Sequence, residues 1–561
     1  MDNVSEQAVA GVLTPLFALR GENDFGCGDM GALRGFIEWA AAHGFRCVQL
    51  LPVNETGADH SPYNAISSVA IEPTTIDLTA LPDLQPSEIA EHNESISAGP
   101  VRWRVVKATK RKLLLRAFAN FTERHWEAND ARARQFAAFV KAESAWLDAY
   151  SLFRVLAERH GSEQWDEWTS EVCSFSAARK WLASKRNGSE IAQEIRFVQY
   201  VQWIAFTQWR EARQFASERG VVLMGDVPFG VNFYSADVWA QPELFDLDWS
   251  GGAPPEPAFA DDEFTRRWGQ NWGVPLYRWP AHRASGFAWW RQRVRKIEEA
   301  FHLFRIDHVL GFYRIYGFPW RPQRNAEFAP LTIEEALVRT GGELPHYIEH
   351  ADDSPEHCAA NRAQGEEFLR VLQSEVGPTA LVGEDLGTVP HYVRPSLLSL
   401  GIPGFKVPQW ENEPDSRLTP GSDYTPCSIA TYATHDHEPL RAMWTRWMSI
   451  IAAALEEPER LAAERDNAWR EARRLAAWAG FEVPHIMDFD EVHERLIAAL
   501  FRSRSRFAIV MITDLLGTDQ RFNVPGTVAA DNWSARLPED WFAIYAGKIQ
   551  RISALVAASG R

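Results

Sequence analysis

The sequence predicts an α/β protein built on a parallel sheet, closed as in a TIM barrel. Three observations carry that prediction. Short, continuous apolar runs recur along the chain, as in strands covered on both faces. Between them lie segments with apolar residues at three- and four-residue spacing, so helices alternate with buried strands. Many of the runs end in polar residues, and the C-terminal ends of barrel strands are where such folds keep their chemistry.

The runs can be taken in order. CVQLLPV (47–53) follows a helical segment, ALRGFIEWAAAHG (32–44), whose Gly44 is a natural helix stop. VVLMGDVP (221–228) ends in Asp226 and follows the helical pattern FVQYVQWIAFTQWREARQFASERG (197–220). LFRIDH (303–308) ends in Asp307 and His308, and TALVGEDL (379–386) in Glu384 and Asp385. GFKVPQW (404–410) ends in Gln409 and Trp410, SIATYATHD (428–436) in His435 and Asp436, and FAIVMITD (507–514) in Asp514.

Two stretches break the alternation. Residues 80–200 are rich in Ala, Arg, Lys, Glu and Trp, and predict a helical insertion with no strong strand. Residues 321–366 predict an irregular insertion near the site, because they lie between two acid-bearing strands. With no repeat, low-complexity tract or linker between them, residues 1–561 read as a single catalytic barrel with insertions.

The balance of 58 basic against 75 acidic residues gives a formal charge of −17. Nucleic acid and anionic membrane both need a basic footprint, so neutral partners fit better. No run of about 18 apolar residues predicts a membrane span. The N-terminus MDNVSEQAVAGVLTPL lacks the basic start and apolar run of a signal peptide. Five scattered cysteines without a CxxC pair predict neither a disulfide frame nor a zinc site, and a reducing cytoplasm is the simplest location. The 24 tryptophans read first as core, and second as stacking surface for sugar rings.

The strand-end acids carry the chemistry. In FRIDHVLGF (304–312), Arg305 stands two residues before Asp307, so along a strand both side chains share a face. The guanidinium keeps the carboxylate ionised, as a nucleophile at a sugar carbon requires. Glu384 and Asp385 face opposite sides, and Glu384 is assigned to the barrel mouth. Sharing a pocket with Asp307 raises its pKa toward that of a general acid. Such a pair is the machinery of retaining glycoside chemistry. An isolated acid at a strand end reads first as a salt bridge or helix cap, but three at successive strand ends, with His308 and His435 beside them, shift the balance toward catalysis. Zinc ligation by His308 and His435 is disfavoured, because no HxxxH-type pair is present.

At this point the motifs are similar to those of a known family. SPYNAISSVAIEPTTIDL (61–78), GDVPFGVNFYSADVW (225–239), GAPPEPAFADDEFTRRWGQNWGVPLYRW (252–279), RIDHVLGF, GEDLG, ATHD (433–436) and NVPGT…NW…R (523–536) occur in its order. The chain resembles the 4-α-glucanotransferases (amylomaltases or disproportionating enzymes) of glycoside hydrolase family 77. The resemblance implies a (β/α)8 barrel with large, mostly helical inserted subdomains and no C-terminal β-domain. It implies Asp307 as nucleophile, Glu384 as general acid/base and Asp436 as the acid steadying the distorted sugar. It implies that Arg305 orients the nucleophile and that His308 and His435 hold the same sugar. Ser61, Tyr63, Asp226, Gln270, Trp272 and Asn523 match residues lining a glucan cleft. Trp410, standing where Phe is common, is a further stacking candidate. The implied substrates are malto-oligosaccharides, glucose and glycogen- or starch-derived glucans, with no cofactor and no metal. Two alternatives stay open: an amylase-like α-1,4-glucan hydrolase, and a glucan-binding protein without turnover.

Overall fold

A computed structural model describes residues 7–90, 99–184, 188–255, 262–377, 380–456, 459–525 and 532–561. Several sequence features lie partly outside the described residues. These are 1–6 of the N-terminal stretch, 91–98 and 185–187 of the helical insertion, 256–261 of the GAPPE motif, Thr379 of TALVGEDL, and 526–531 after Pro525.

Eight parallel strands form the central sheet. They are β1 (Val9–Thr14), β2 (Cys47–Leu50), β3 (Val222–Val227), β6 (Leu303–Ile306), β9 (Leu381–Gly383), β10 (Gly404–Lys406), β11 (Ser428–Ala430) and β12 (Phe507–Met511). Their order, β10-β11-β12-β1-β2-β3-β6-β9, is that of an almost closed barrel. Seven come from the apolar runs; β1, VAGVLT, was not among them, and it fills the gap between β12 and β2. The strands are short and nearly all buried, as expected when helices cover the outside and side chains fill the inside.

The barrel closes between β9 and β10. Gly383 N–H donates to Pro403 C=O at 2.9 Å, and Phe405 N–H donates to Asp385 Oδ1 at 2.6 Å. Gly404 makes this possible, because a Cβ there would stand 2.8 Å from the Asp385 carboxylate. Burial pushes the Asp385 carboxyl up to about 6, against the pull of Arg394.

Helices connect the strands on the outside. The first, Met30–Ala42, starts where Asp29 accepts from Gly31 N–H and Ala32 N–H, and it is followed by Gly44 at φ +85°. The helix Phe489–Phe501 opens with a capping box of Asp488 and Glu491. Long helices make up the 80–200 stretch, among them Trp103–Phe121 and Ala131–His160, and Gly188–Glu218 carries the chain back into β3. Trp146, Trp165, Trp168 and Trp209 in this region are all buried.

A second, antiparallel sheet was not evident in the sequence. It consists of β4 (Phe245–Ala253), β5 (Gln270–Tyr277), β7 (Ile315–Phe318) and β8 (His346–Ile348), in the order β5-β4-β7-β8. Its own small core joins Phe264, Trp268, Phe318, Trp320, Phe328 and Ala336. Trp320 lies flat on Phe328 at 3.7 Å. Residues 321–366 are therefore more regular than their composition predicts. They contain the helices Asn325–Phe328 and Ile333–Thr340, strand β8, and the start of the helix Pro355–Val376.

Candidate active site

The site begins with the ladder between β3 and β6. Asp226 pairs with Arg305 in register, and Asp307 N–H continues the pattern by donating to Val227 C=O at 2.9 Å. The strand then stops abruptly. His308 takes a left-handed backbone, φ +45° and ψ +56°, which is strained for a residue with a Cβ. That turn aims its N–H at Glu384 Oε2, 2.8 Å away. The other oxygen, Oε1, accepts from Leu386 N–H at 2.8 Å.

One cation organises three carboxylates. Buried Arg305 donates through Nη1 to Asp226 Oδ2 at 2.6 Å, while its Nη2 lies 2.8 Å from Asp307 Oδ1 and 3.9 Å from Glu384 Oε2. The shared nitrogen limits the separation of those two carboxylate oxygens to about 7 Å, a bound that spans the roughly 5–5.5 Å of retaining pairs and the lower edge of the roughly 6.5–9.5 Å of inverting ones. Burial pushes Glu384 up to about 7; Asp307 adds to the rise, and Arg305 and the two amide hydrogen bonds oppose it. Burial also raises Asp226, against Arg305 and a hydrogen bond from Tyr63 Oη at 2.6 Å.

Asp436 stands in the opposite electrostatic setting. Burial alone would raise its carboxyl, but His435 and hydrogen bonds outweigh that and hold it well below the usual carboxylate range. Asn523 Nδ2 donates to its Oδ1 at 2.6 Å, and His435 Nε2 lies 3.1 Å from its Oδ2. The His435 ring stacks on Tyr63 at 4.8 Å, with the planes 10° apart. Tyr63 thereby connects Asp436's neighbour to Asp226, and the two halves of the site become one polar network.

A second wall comes from the antiparallel sheet. On β5, Trp272 Nε1 donates to Gln270 Oε1 at 3.1 Å, and its ring meets His308 edge-on at 4.8 Å. Burial, with Arg314 and Arg305 acting the same way, lowers the His308 imidazolium to about 4, so the ring is neutral. Trp410, after β10, packs edge-on to His437 at 4.7 Å. Among the 24 tryptophans, all within the described residues, only Trp272 and Trp410 are exposed, at 39% and 46%. The core reading therefore serves the rest, and the exceptions are the two that flank the acids.

Ser61 behaves differently from the other sequence candidates. Its Oγ accepts from Tyr63 N–H at 3.3 Å and shapes the loop that presents Tyr63, without bonding any acid itself. Asp385 points to the barrel seam, away from Arg305. Two neighbours went unnoticed in the sequence. Arg521 Nη2 donates to the Asp436 main-chain oxygen at 2.8 Å, and His437 sits beside Asp436 on the same turn. A backbone contact such as Arg521's has no signature in residue spacing, but the second imidazole in ATHDH was visible.

Among the described residues, no three His, Cys, Asp or Glu side chains are placed to hold a metal ion, and no helix is long and apolar enough to cross a membrane. A cavity of about 410 Å³ beside the helix Pro355–Val376, lined by Arg283, His350 and Gln364 among others, contains none of the residues described above.

The comparisons with known proteins follow the same outline. The family profile described as 4-alpha-glucanotransferase matches residues 14–541. A 4-alpha-glucanotransferase of Chlamydia caviae is 30% identical over 550 residues, covering 94% of this chain and 90% of that one. One from Aquifex aeolicus is 30% identical over 568 residues, covering 99% of each. Among solved structures, the amylomaltase from Streptococcus agalactiae in complex with acarbose superposes with a TM-score of 0.76 at 22% identity, over 99% of this chain and 100% of that one; this likeness bears on the fold. With a profile covering most of its length, and a relative 30% identical from end to end, the chain belongs to the 4-alpha-glucanotransferase family.

Proposed function

We propose that the protein transfers an α-1,4-glucan segment from a malto-oligosaccharide donor to the 4-hydroxyl of an acceptor glucan or glucose, with retention at the anomeric carbon. The observation that carries this reading is the single guanidinium nitrogen of Arg305 held between Asp307 and Glu384. It bounds the two carboxylate oxygens to within about 7 Å of each other, which admits the roughly 5–5.5 Å of a retaining pair, and membership of the 4-alpha-glucanotransferase family supports that choice.

In the first half-reaction an Asp307 oxygen attacks the anomeric carbon. The glycosidic C–O bond breaks, and Glu384 gives its proton to the departing 4-oxygen. Burial of Glu384 supplies that proton near neutral pH. In the second half, the Glu384 carboxylate takes the proton from an acceptor 4-hydroxyl. That oxygen attacks the same carbon and the bond to Asp307 breaks. Two inversions give net retention. Arg305 holds Asp307 in line. Asp436, kept ionised beside His435 and Asn523, accepts hydrogen bonds from hydroxyls of the distorted ring. His308, His435, Tyr63, Asp226, Gln270, Trp272 and Trp410 line the glucan path, and Ser61 supports it through the Tyr63 loop. Glycogen- and starch-derived chains fit the same chemistry. The five free cysteines fit a reducing cytoplasm as its location.

Incubation with maltotriose tests the proposal. The expected result is released glucose with a ladder of longer maltodextrins, abolished by Asp307→Asn. Glucose and maltose without a ladder would instead establish a hydrolase, and no turnover would leave only binding.

A further inference from the structure

His437 follows Asp436, and its ring orientation is fixed on one side only. Nδ1 lies 3.1 Å from Thr434 N–H and 2.8 Å from Thr434 Oγ1. A backbone N–H can only donate, so Nδ1 accepts, and in the neutral ring the proton sits on Nε2. Burial, reinforced by His435, Arg305 and Arg521 and opposed by Asp436, lowers the imidazolium to about 4, so the neutral ring persists through the working pH range.

The Nε2–H has no protein partner among the described residues, nor is it sealed in the interior. Beside the imidazole stands Trp410, the ring centroids 4.7 Å apart and the indole 46% exposed. A lone exposed indole is ordinary. An exposed indole packed against an imidazole that carries an unpaired, oriented N–H is a more specific arrangement. One half suits the C–H face of a pyranose, and the other a hydroxyl on its rim. The Trp272–His308 pair repeats the arrangement beside Asp307.

We propose that His437 and Trp410 form a glucose-binding subsite on the Asp436 side of the cleft, in which His437 Nε2–H donates to a hydroxyl of the glucosyl unit stacked on Trp410. This makes His437 a specificity-determining residue, and it rests on the glucan-transfer reading above.

Two substitutions separate this role from a structural one. His437→Asn keeps an acceptor near Nδ1 for the Thr434 amide but has nothing at Nε2. His437→Gln returns an N–H at about the Nε2 reach. On maltotriose, His437→Asn is expected to raise KM about tenfold, the worth of one well-made hydrogen bond, with kcat within about twofold. His437→Gln should recover most of the loss. Trp410→Ala should raise KM similarly, and the double variant should be little worse than Trp410→Ala, because the two residues serve one sugar. An unchanged KM in His437→Asn overturns the proposal. So does a fall in kcat at constant KM, which would make His437 a support for Asp436. So do effects that multiply in the double variant. If the wild type builds no ladder from maltotriose, the glucan-transfer reading fails and this one with it; a wild-type ladder with a flat KM in the variants overturns the subsite alone.

Discussion

Glu384 costs the fold stability at the pH where it serves catalysis. The substitution Glu384→Gln keeps the side chain's size and removes its charge. In the folded protein the carboxyl titrates at about 7, against 4.5 for the free group. Below pH 4.5 it is protonated in both states and contributes nothing. Between 4.5 and 7 the unfolded chain ionises first, so rising pH favours unfolding. Above 7 the penalty is complete, at ~3 kcal/mol for the difference in pKa. Glutamine never ionises, so the stability of Glu384→Gln relative to wild type should grow by ~2 kcal/mol between pH 5 and pH 8. For a chain of this length that corresponds to about 2 °C in Tm. Any fixed cost of replacing one acceptor oxygen with an amide, opposite His308 N–H or Leu386 N–H, cancels in this difference. Calorimetry of both proteins at the two pH values is the assay. A Tm difference that does not change with pH, or one that shrinks as pH rises, would refute the assignment of a buried, proton-holding Glu384.

Three further outcomes follow from the same geometry. kcat/KM for maltotriose should fall about tenfold per pH unit above about 7, as Glu384 loses the proton it must donate, and a profile flat to pH 9 would contradict this. Arg305→Met leaves buried Asp226 and half-buried Asp307 without their cation, and should cost about 3–5 kcal/mol in denaturant unfolding, with the loss reduced at low pH where Asp226 is neutral. Gly404→Ala puts a methyl into the space used by the Asp385 carboxylate at the barrel seam, and should cost about 1–3 kcal/mol in the same assay, while a conservative exchange at exposed Val338 should cost little.

Much of the barrel was legible because its strands are buried on both faces, and a short unbroken apolar run between helices has few other readings. β1 escaped because Ala10 and Gly11 interrupt the larger aliphatics of VAGVLT and the run lies within the chain's opening stretch. The antiparallel sheet escaped for a different reason. β4, FDLDWSGGA, carries two Asp and two Gly and is only partly buried, while β7 and β8 have four and three residues. Those features match loops as well as strands. In the site, the i, i+2 spacing of Arg305 and Asp307 put both on one face of a strand, and the alternation at 384–385 separated Glu384 from Asp385. What spacing cannot encode is contact across strands. Tyr63 reaching Asp226, Asn523 reaching Asp436, and Arg521 holding a main-chain oxygen join residues far apart in sequence. The motifs brought the first two to attention; nothing in the sequence marked the third.

The central claim is that Asp307 becomes covalently bonded to the transferred glucan. The direct measurement is peptide mass mapping of Glu384→Gln after a brief reaction with an α-maltosyl fluoride, whose leaving group needs no general acid. A maltosyl mass is expected on the peptide containing Asp307, absent when Asp307→Asn is added. Fluoride released without any adduct, or an adduct on a peptide lacking Asp307, would contradict it.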